Sequence, residues 1–203
     1  MKRIVITGGA GFIGSNLVPY LAASGLYEIY VIDNESLGRL KYVEVKGVTC
    51  IKGDILDSRL MGNVLSGADT LLHLAADTRV MDSIANPDFN FRINVEGTYT
   101  LLRQAQRAGV RRVINASTGG AILGEIPPPV HEDMAPKPLS PYGASKLAVE
   151  GYCSAFSECY GLSAVSLRFS NIFGPRSFHK GSVIAHFFKN ILNSTELIVF
   201  GDG

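Results

Sequence analysis

Short apolar runs alternate along this chain with longer stretches of helical periodicity. Val- and Ile-rich runs at residues 3–7, 28–33, 48–52, 70–74, 112–116 and 163–169 predict strands. They carry apolar residues at consecutive positions, as strands do when both faces of a parallel sheet are covered by helices. Helical patterns fall at 11–23, 89–106 and 142–160, with a shorter one at 58–65. Strand alternating with helix predicts an α/β fold, a doubly wound parallel sheet of the Rossmann type, with ligands at the carboxyl ends of the strands. Residues 1–172 are expected to form that unit, and 173–203 to begin a second, incomplete one. The prolines at 127–129, 136, 138 and 141 predict an extended surface loop.

Composition narrows the class. Apolar residues make up 46% and charged residues 18% of the 203, which marks a globular chain. Net charge is +1, and Arg107, Arg111 and Arg112 flank a turn as a solvated helix end would, so nothing points to nucleic acid. No apolar run is long enough for a membrane span and no signal segment opens the chain, so a cytoplasmic location is expected. Cys50, Cys153 and Cys159 fit neither metal spacing nor a disulfide set and read as reduced packing residues; no metal site is expected.

The first candidate chemistry is Thr7-Gly8-Gly9-Ala10-Gly11-Phe12-Ile13-Gly14, between the first strand and first helix. In a GxxGxxG run so placed, Gly8 permits the tight turn and Gly11 lets the backbone approach a pyrophosphate. Gly14 lets helix and strand pack closely. The helix N-terminus, with Phe12 and Ile13, presents N–H groups and partial positive charge to the anion. Asp33, nineteen residues past Gly14, stands where a carboxylate meets the adenosine ribose hydroxyls and repels a 2′-phosphate, which favours NAD over NADP. Asp54 reads either as an acceptor for the adenine amino group or, with Asp57, as a helix N-cap. Leu74, Ala75 and Ala76 leave room for the phosphates and the nicotinamide ribose. His73, among apolar neighbours, reads as a satisfied core histidine. Asn94 lies inside a helical pattern and implies a hydrogen-bonding task, to backbone, water or cofactor. Thr78, Arg79 and Ser83 follow the fourth strand and either line a pocket or face solvent.

A second constellation follows. Tyr142 and Lys146 are i and i+4, hence on one helix face. An ammonium beside a phenol favours the phenolate, so Tyr142 is expected to have a lowered pKa and to act as general base on an alcohol or sugar hydroxyl. Lys146 is suited to the nicotinamide ribose, and Thr118 or Ser117 to holding the reacting oxygen.

These blocks together make the chain recognisable. TGGAGFIG at Thr7–Gly14, DN at Asp33-Asn34, GDI at Gly53–Ile55, HLAA at His73–Ala76, NVEGT at Asn94–Thr98, STGGA at Ser117–Ala121, YGASK at Tyr142–Lys146 and LRFSNIFGPR at Leu167–Arg176 resemble the extended short-chain dehydrogenase/reductase family of sugar-nucleotide epimerases and dehydratases. The resemblance implies a tightly held NAD, contacted also by Asn34 and Ile55, and a catalytic trio of Thr118, Tyr142 and Lys146. Thr118 is preferred over Ser117 because the later hydroxyl usually carries the role; Ser117, Thr78 and Asn171 are then expected near substrate, Asn171 by the nucleotide diphosphate. The 4,6-dehydratases carry an Asp-Glu pair after the catalytic threonine, where this chain has Gly119-Gly120. It looks most like the UDP-glucose 4-epimerase-like members, which implies 4-epimerisation of a UDP-hexose through a 4-keto intermediate, and a possible homodimer through the helices at 89–106 and 142–160. A dehydratase or reductase of the family, or a non-catalytic NAD-binding fragment, are the alternatives. Leu123 stands where the family has Tyr, and Ser170 where it has an aromatic. His179 and His186 are given no catalytic role. The last residues, 197–203, match a block past which relatives continue, so the chain is expected to keep the NAD site and the trio but to hold a sugar nucleotide poorly.

Overall fold

The computed structural model describes residues 1–177 and 182–199. Six strands, β1 (Lys2–Thr7), β2 (Tyr27–Asp33), β3 (Val48–Lys52), β4 (Thr70–His73), β5 (Arg112–Thr118) and β6 (Ser163–Phe169), form one sheet in the order β3-β2-β1-β4-β5-β6. Every pairing is parallel. The chain order reverses between β1 and β4, the switch point at which such sheets open a crevice.

Consecutive strand residues supply two cores. On one face Val5, Leu71 and Val113 pack with Met61, Leu65, Leu101, Val149 and Phe156. On the other, Ile6, Val31 and Leu72 pack with Val18, Leu40 and Val43. The helices are α1 (Phe12–Ala23), α2 (Ser58–Leu65), α3 (Val80–Ala85), α4 (Pro87–Phe91), α5 (Gly97–Arg107), α6 (Gly119–Leu123), α7 (Pro141–Tyr160) and α8 (Val183–Leu192). Local chemistry sets their ends. Asp57 caps α2 by accepting from the Arg59 and Leu60 N–H groups, and Ser140 caps α7 by accepting from Gly143 N–H at 3.1 Å, with Pro141 in the first turn. Gly161 ends α7 in the left-handed conformation at φ 67°.

The stretch expected as one helix over 89–106 is three pieces: α4, a π-helical turn at Arg92–Glu96, and α5. Helices α3, α6 and α8 were not legible as periodic runs, the first two being too short. Chain contacts divide the molecule into Met1–Ser170 and Asn171–Gly203, where the sequence pattern puts the division after 172. His179 lies outside the described residues, and His186 is exposed on α8. Cys153 is buried and Cys50 half-buried, but Cys159 is exposed; the expectation that all three are packing residues fails there, because Cys159 sits on the solvent side of α7. Among the described residues no helix is long and apolar enough to cross a membrane.

Candidate active site

All six strands end at one edge, and the glycine turn occupies its centre. Gly8 has φ 67° and donates its N–H to the Ile32 carbonyl at 2.8 Å. A Cβ on Gly8 would lie 2.6 Å from Ala75 Cα and 2.7 Å from the Leu74 carbonyl carbon, so the turn presses on the end of β4. Gly14 packs against the backbone of Gly9, while a Cβ on Gly9 would meet Val31 at 2.7 Å and Ile6 at 3.2 Å. Helix-to-strand closeness is therefore shared between Gly9 and Gly14, where the sequence pattern assigned it to Gly14 alone. Gly38, on the loop after β2, similarly lies against the Ala10 backbone. Gly11 is different: a Cβ there would meet only the Gly8 carbonyl oxygen, at 3.2 Å. Open space thus adjoins the backbone where α1 starts, with Gly11 in the cap position and no side chain capping it. A helix N-terminus facing such a cradle fits a pyrophosphate.

Asp33, at the end of β2, is buried and accepts from Ala10 N–H at 3.0 Å and Glu35 N–H at 2.8 Å. Burial pushes its carboxyl up, and the hydrogen bonds from Glu35 and Ala10 oppose that. The carboxylate so placed fixes the glycine turn and stands beside it. Asn34 donates to Asp54 at 2.9 Å, joining the ends of β2 and β3. Asp57, not Asp54, is the helix cap. Ile55 turns its side chain into the core, 5% exposed. Leu74, Ala75 and Ala76 are half-buried on the β4–α3 connection, and Thr78 is exposed there.

His73 is buried, with Nδ1 2.7 Å from Thr7 Oγ1 and Nε2 2.8 Å from Thr98 Oγ1. A neutral imidazole has one donor and one acceptor nitrogen, so two hydroxyls satisfy it. Burial, with nearby Lys146, holds its pKa down at about 3. A folded pKa below the unfolded value of about 6.5 means stability present at neutral pH and lost as pH falls through the window from 6.5 toward 3. Going from pH 7 to pH 5 should cost about 2 kcal/mol through this residue alone. Urea unfolding at the two pH values checks it: the His73→Gln chain should lose that part of the acid sensitivity, and equal loss in both chains would contradict it.

The third cluster joins β5 to α7. Thr118 ends β5, half-buried, and its side chain makes no capping bond to α6. Tyr142 is half-buried in the first turn of α7, and Lys146, one turn on, is buried. The Lys146 ammonium donates to the Ala116 carbonyl at 2.9 Å. Burial lowers its pKa to about 8. Tyr142 moves opposite to the sequence expectation: burial, with the Asp77 charge adding, raises its pKa. Burial disfavours the charged phenolate, and the Lys146 ammonium is directed at the Ala116 carbonyl. The Ser117 side chain turns toward α7. It is buried, and its hydroxyl donates to Glu150 Oε1 at 2.6 Å. Its donor being taken, Thr118 is the hydroxyl left at the strand end.

Asn94 sits in the π-helical turn, a feature that often re-aims side chains at functional sites. Its Oδ1 accepts from Asp77 N–H at 2.8 Å, and its Nδ2 donates to the Asp77 carbonyl at 2.9 Å and to Ser145 Oγ at 3.0 Å. Ser145 in turn donates to the Tyr142 carbonyl at 2.8 Å, and Tyr142 N–H donates to buried Ser83 at 3.1 Å. Of the tasks open to this amide, to backbone, water or cofactor, the bonds formed include the backbone one, and they hold the β4–α3 connection to α7. Asn171 belongs to the second unit, where it lines a small hollow with Ile172, Phe173 and Val183.

Residues 4–203 match the model of the NAD dependent epimerase/dehydratase family. The chain belongs to this family. It is 36% identical over 209 residues to the UDP-glucose 4-epimerase of Mycolicibacterium smegmatis, covering 99% of this chain and 66% of that one. Among solved structures, a UDP-glucose 4-epimerase of Thermus thermophilus in complex with NAD superposes at a TM-score of 0.88, with 38% identity over 95% of this chain and 63% of the other. A dTDP-glucose 4,6-dehydratase of Streptomyces venezuelae with NAD and TYD bound gives 0.89, with 35% identity over 99% and 65%. The chain spans just under two thirds of the length of these relatives.

The roles of Gly9, Gly38, Asp77 and Glu150 were not legible in the sequence, and Ser83, read there as pocket-lining or solvated, is buried against the Tyr142 backbone. Ser145 lay inside the YGASK block, and Glu150 follows Lys146 at i+4 on the same helix face, a spacing that was available as a signal.

Proposed function

We propose that the chain carries the NAD site and catalytic groups of a nucleotide-sugar 4-epimerase acting on a UDP-hexose. The observation that carries this is Lys146, one turn after Tyr142 on α7, bonded to the Ala116 carbonyl two residues before Thr118 at the end of β5, with Gly119-Gly120 following where an acidic pair would serve dehydration. NAD, when bound, supplies a site that takes a hydride from the sugar and gives it back. The glycine turn and first turn of α1 hold its pyrophosphate, Asp33 its adenosine ribose, and Lys146 its nicotinamide ribose. Tyr142 takes the proton from the C4 hydroxyl, and Thr118 holds that oxygen by a hydrogen bond. Lys146, a cation fixed by the Ala116 carbonyl, favours negative charge on the phenol as the proton moves. Asn94, Ser145 and Ser83 keep the Tyr142 backbone in place. Glycines at 119 and 120 cannot move protons, which weighs against dehydration. Absorbance of reduced nicotinamide tests the class. With candidate sugar nucleotides it should stay flat while product forms; a steady net rise would make the chain an oxidoreductase.

The same reading includes a cytoplasmic location and a homodimer. Tyr99, Tyr152, Phe156 and Tyr160 form a ring cluster across α5 and α7, with centroid spacings of 5.0–6.1 Å. Tyr99, Tyr152 and Tyr160 are 39%, 41% and 54% exposed. An aromatic face so exposed supports pairing between copies. Sedimentation should give a dimer that Tyr152→Glu converts to monomer; a monomeric parent chain at micromolar concentration would refute pairing.

A further inference from the structure

One turn beyond Lys146 lies a largely buried carboxylate outside the trio. Glu150 follows Lys146 by one helical turn and Tyr142 by two, on the same face of α7. Its side chain is 14% exposed. Oε1 accepts from Ser117 Oγ at 2.6 Å and from Arg168 Nε at 3.0 Å; Oε2 accepts from Arg168 Nε at 3.1 Å and Nη2 at 2.8 Å. Ser117 and Arg168 face each other across the β5–β6 ladder. Arg168 Nη1 also donates to the Glu132 carbonyl at 2.9 Å, within the proline-rich loop.

We propose that Glu150 is a positioning residue of the active site, one carboxylate that fixes the strand end bearing Thr118 against the helix bearing Tyr142 and Lys146. The role rests on the epimerase reading of those three groups. Ser117 is the residue before Thr118, so a bond at Ser117 sets where the next hydroxyl stands. On the helix side, any slide of Glu150 along the strand carries Lys146 and Tyr142 with it, since all lie in one rigid α7. Arg168 closes the arrangement by holding both carboxylate oxygens, leaving Glu150 a single rotamer. A carboxylate suits the task because it has enough lone pairs for all these donors at once. A purely structural pair in this place would do as well as packed apolar residues; this one joins β5 one residue before Thr118 to α7 one turn after Lys146.

Ser117→Ala tests the tie and leaves Arg168 its carboxylate, so the variant keeps the part-buried ion pair. Conversion of UDP-glucose should fall about ten-fold in kcat, with KM and the NAD dissociation constant within about two-fold of the parent. Glu150→Gln should act in the same direction and at least as strongly. An unchanged kcat in a folded Ser117→Ala chain overturns the proposal, and so does a loss carried by KM, which would place Ser117 on the substrate. A second readout needs no turnover: the γ-methyl NMR signal of Thr118, assigned through Thr118→Ser, should be single in the parent and broadened or doubled in Ser117→Ala. If the parent chain converts no sugar, the epimerase reading fails by itself, and an unaltered Thr118 signal in the variant then overturns the positioning role separately.

Discussion

Tyr142→Phe should lower sugar conversion by about 10²–10⁴-fold, the range that a positioned general base contributes, while NAD affinity stays within about two-fold. The substitution removes one oxygen from a half-buried ring and keeps its packing, so thermal unfolding should shift little. A pH dependence accompanies it. Burial raises the Tyr142 pKa, which leaves little phenolate at neutral pH, and activity should climb as pH rises. Lys146 sits at about 8 and works as a cation, so its contribution fades above that value. The optimum is therefore expected on the alkaline side of neutral. The rising limb should disappear from the residual rate of Tyr142→Phe. Conversion by that variant at near-parent rate, with the same pH profile, would remove Tyr142 from the chemistry.

Gly8→Ala should weaken NAD binding to below about one hundredth of the parent affinity and destabilise the chain by roughly 2–4 kcal/mol, the sum of a left-handed backbone and a displaced turn. The position has φ 67°, and an added Cβ would sit 2.6 Å from Ala75 Cα. Those atoms are backbone at the end of β4, so no side-chain rotation relieves them. Gly25 provides the control. It has nearly the same φ, 66°, with nothing within 4 Å of an added Cβ, so Gly25→Ala bears only the conformational cost, about 1 kcal/mol, and should bind NAD normally. Urea unfolding and NAD fluorescence titration of the two variants separate the terms. Equal effects at Gly8 and Gly25 would mean that the close approach of the turn to β4 is of no consequence.

What could be read from residues alone was what local pattern encodes. Val5 and Ile6, or Leu71 and Leu72, point to opposite faces, so an unbroken apolar pair already implies a sheet covered on both sides. His73 among apolar neighbours was legible as a satisfied core residue, although Thr7 and Thr98, its partners, were not. Failures occurred where the partner is remote in sequence. That Asn94 had a hydrogen-bonding task was legible, but not the π-helical turn at 92–96 nor its partners Asp77 and Ser145, 17 and 51 residues away. Thr118 was preferred over Ser117 from its position alone; that Glu150, 33 residues on, claims the Ser117 hydroxyl was not legible. The sign of the Tyr142 shift was missed because i, i+4 spacing reports a neighbouring charge but not how far burial disfavours a phenolate.

In the proposed reaction a hydride leaves a sugar carbon and returns to the same carbon. Incubating the NAD-loaded chain with UDP-glucose deuterated at C4, in ordinary water, tests this most directly. The UDP-galactose formed should keep its deuterium at C4; product carrying solvent hydrogen there, or a chain that binds NAD and yields no UDP-galactose, would contradict it.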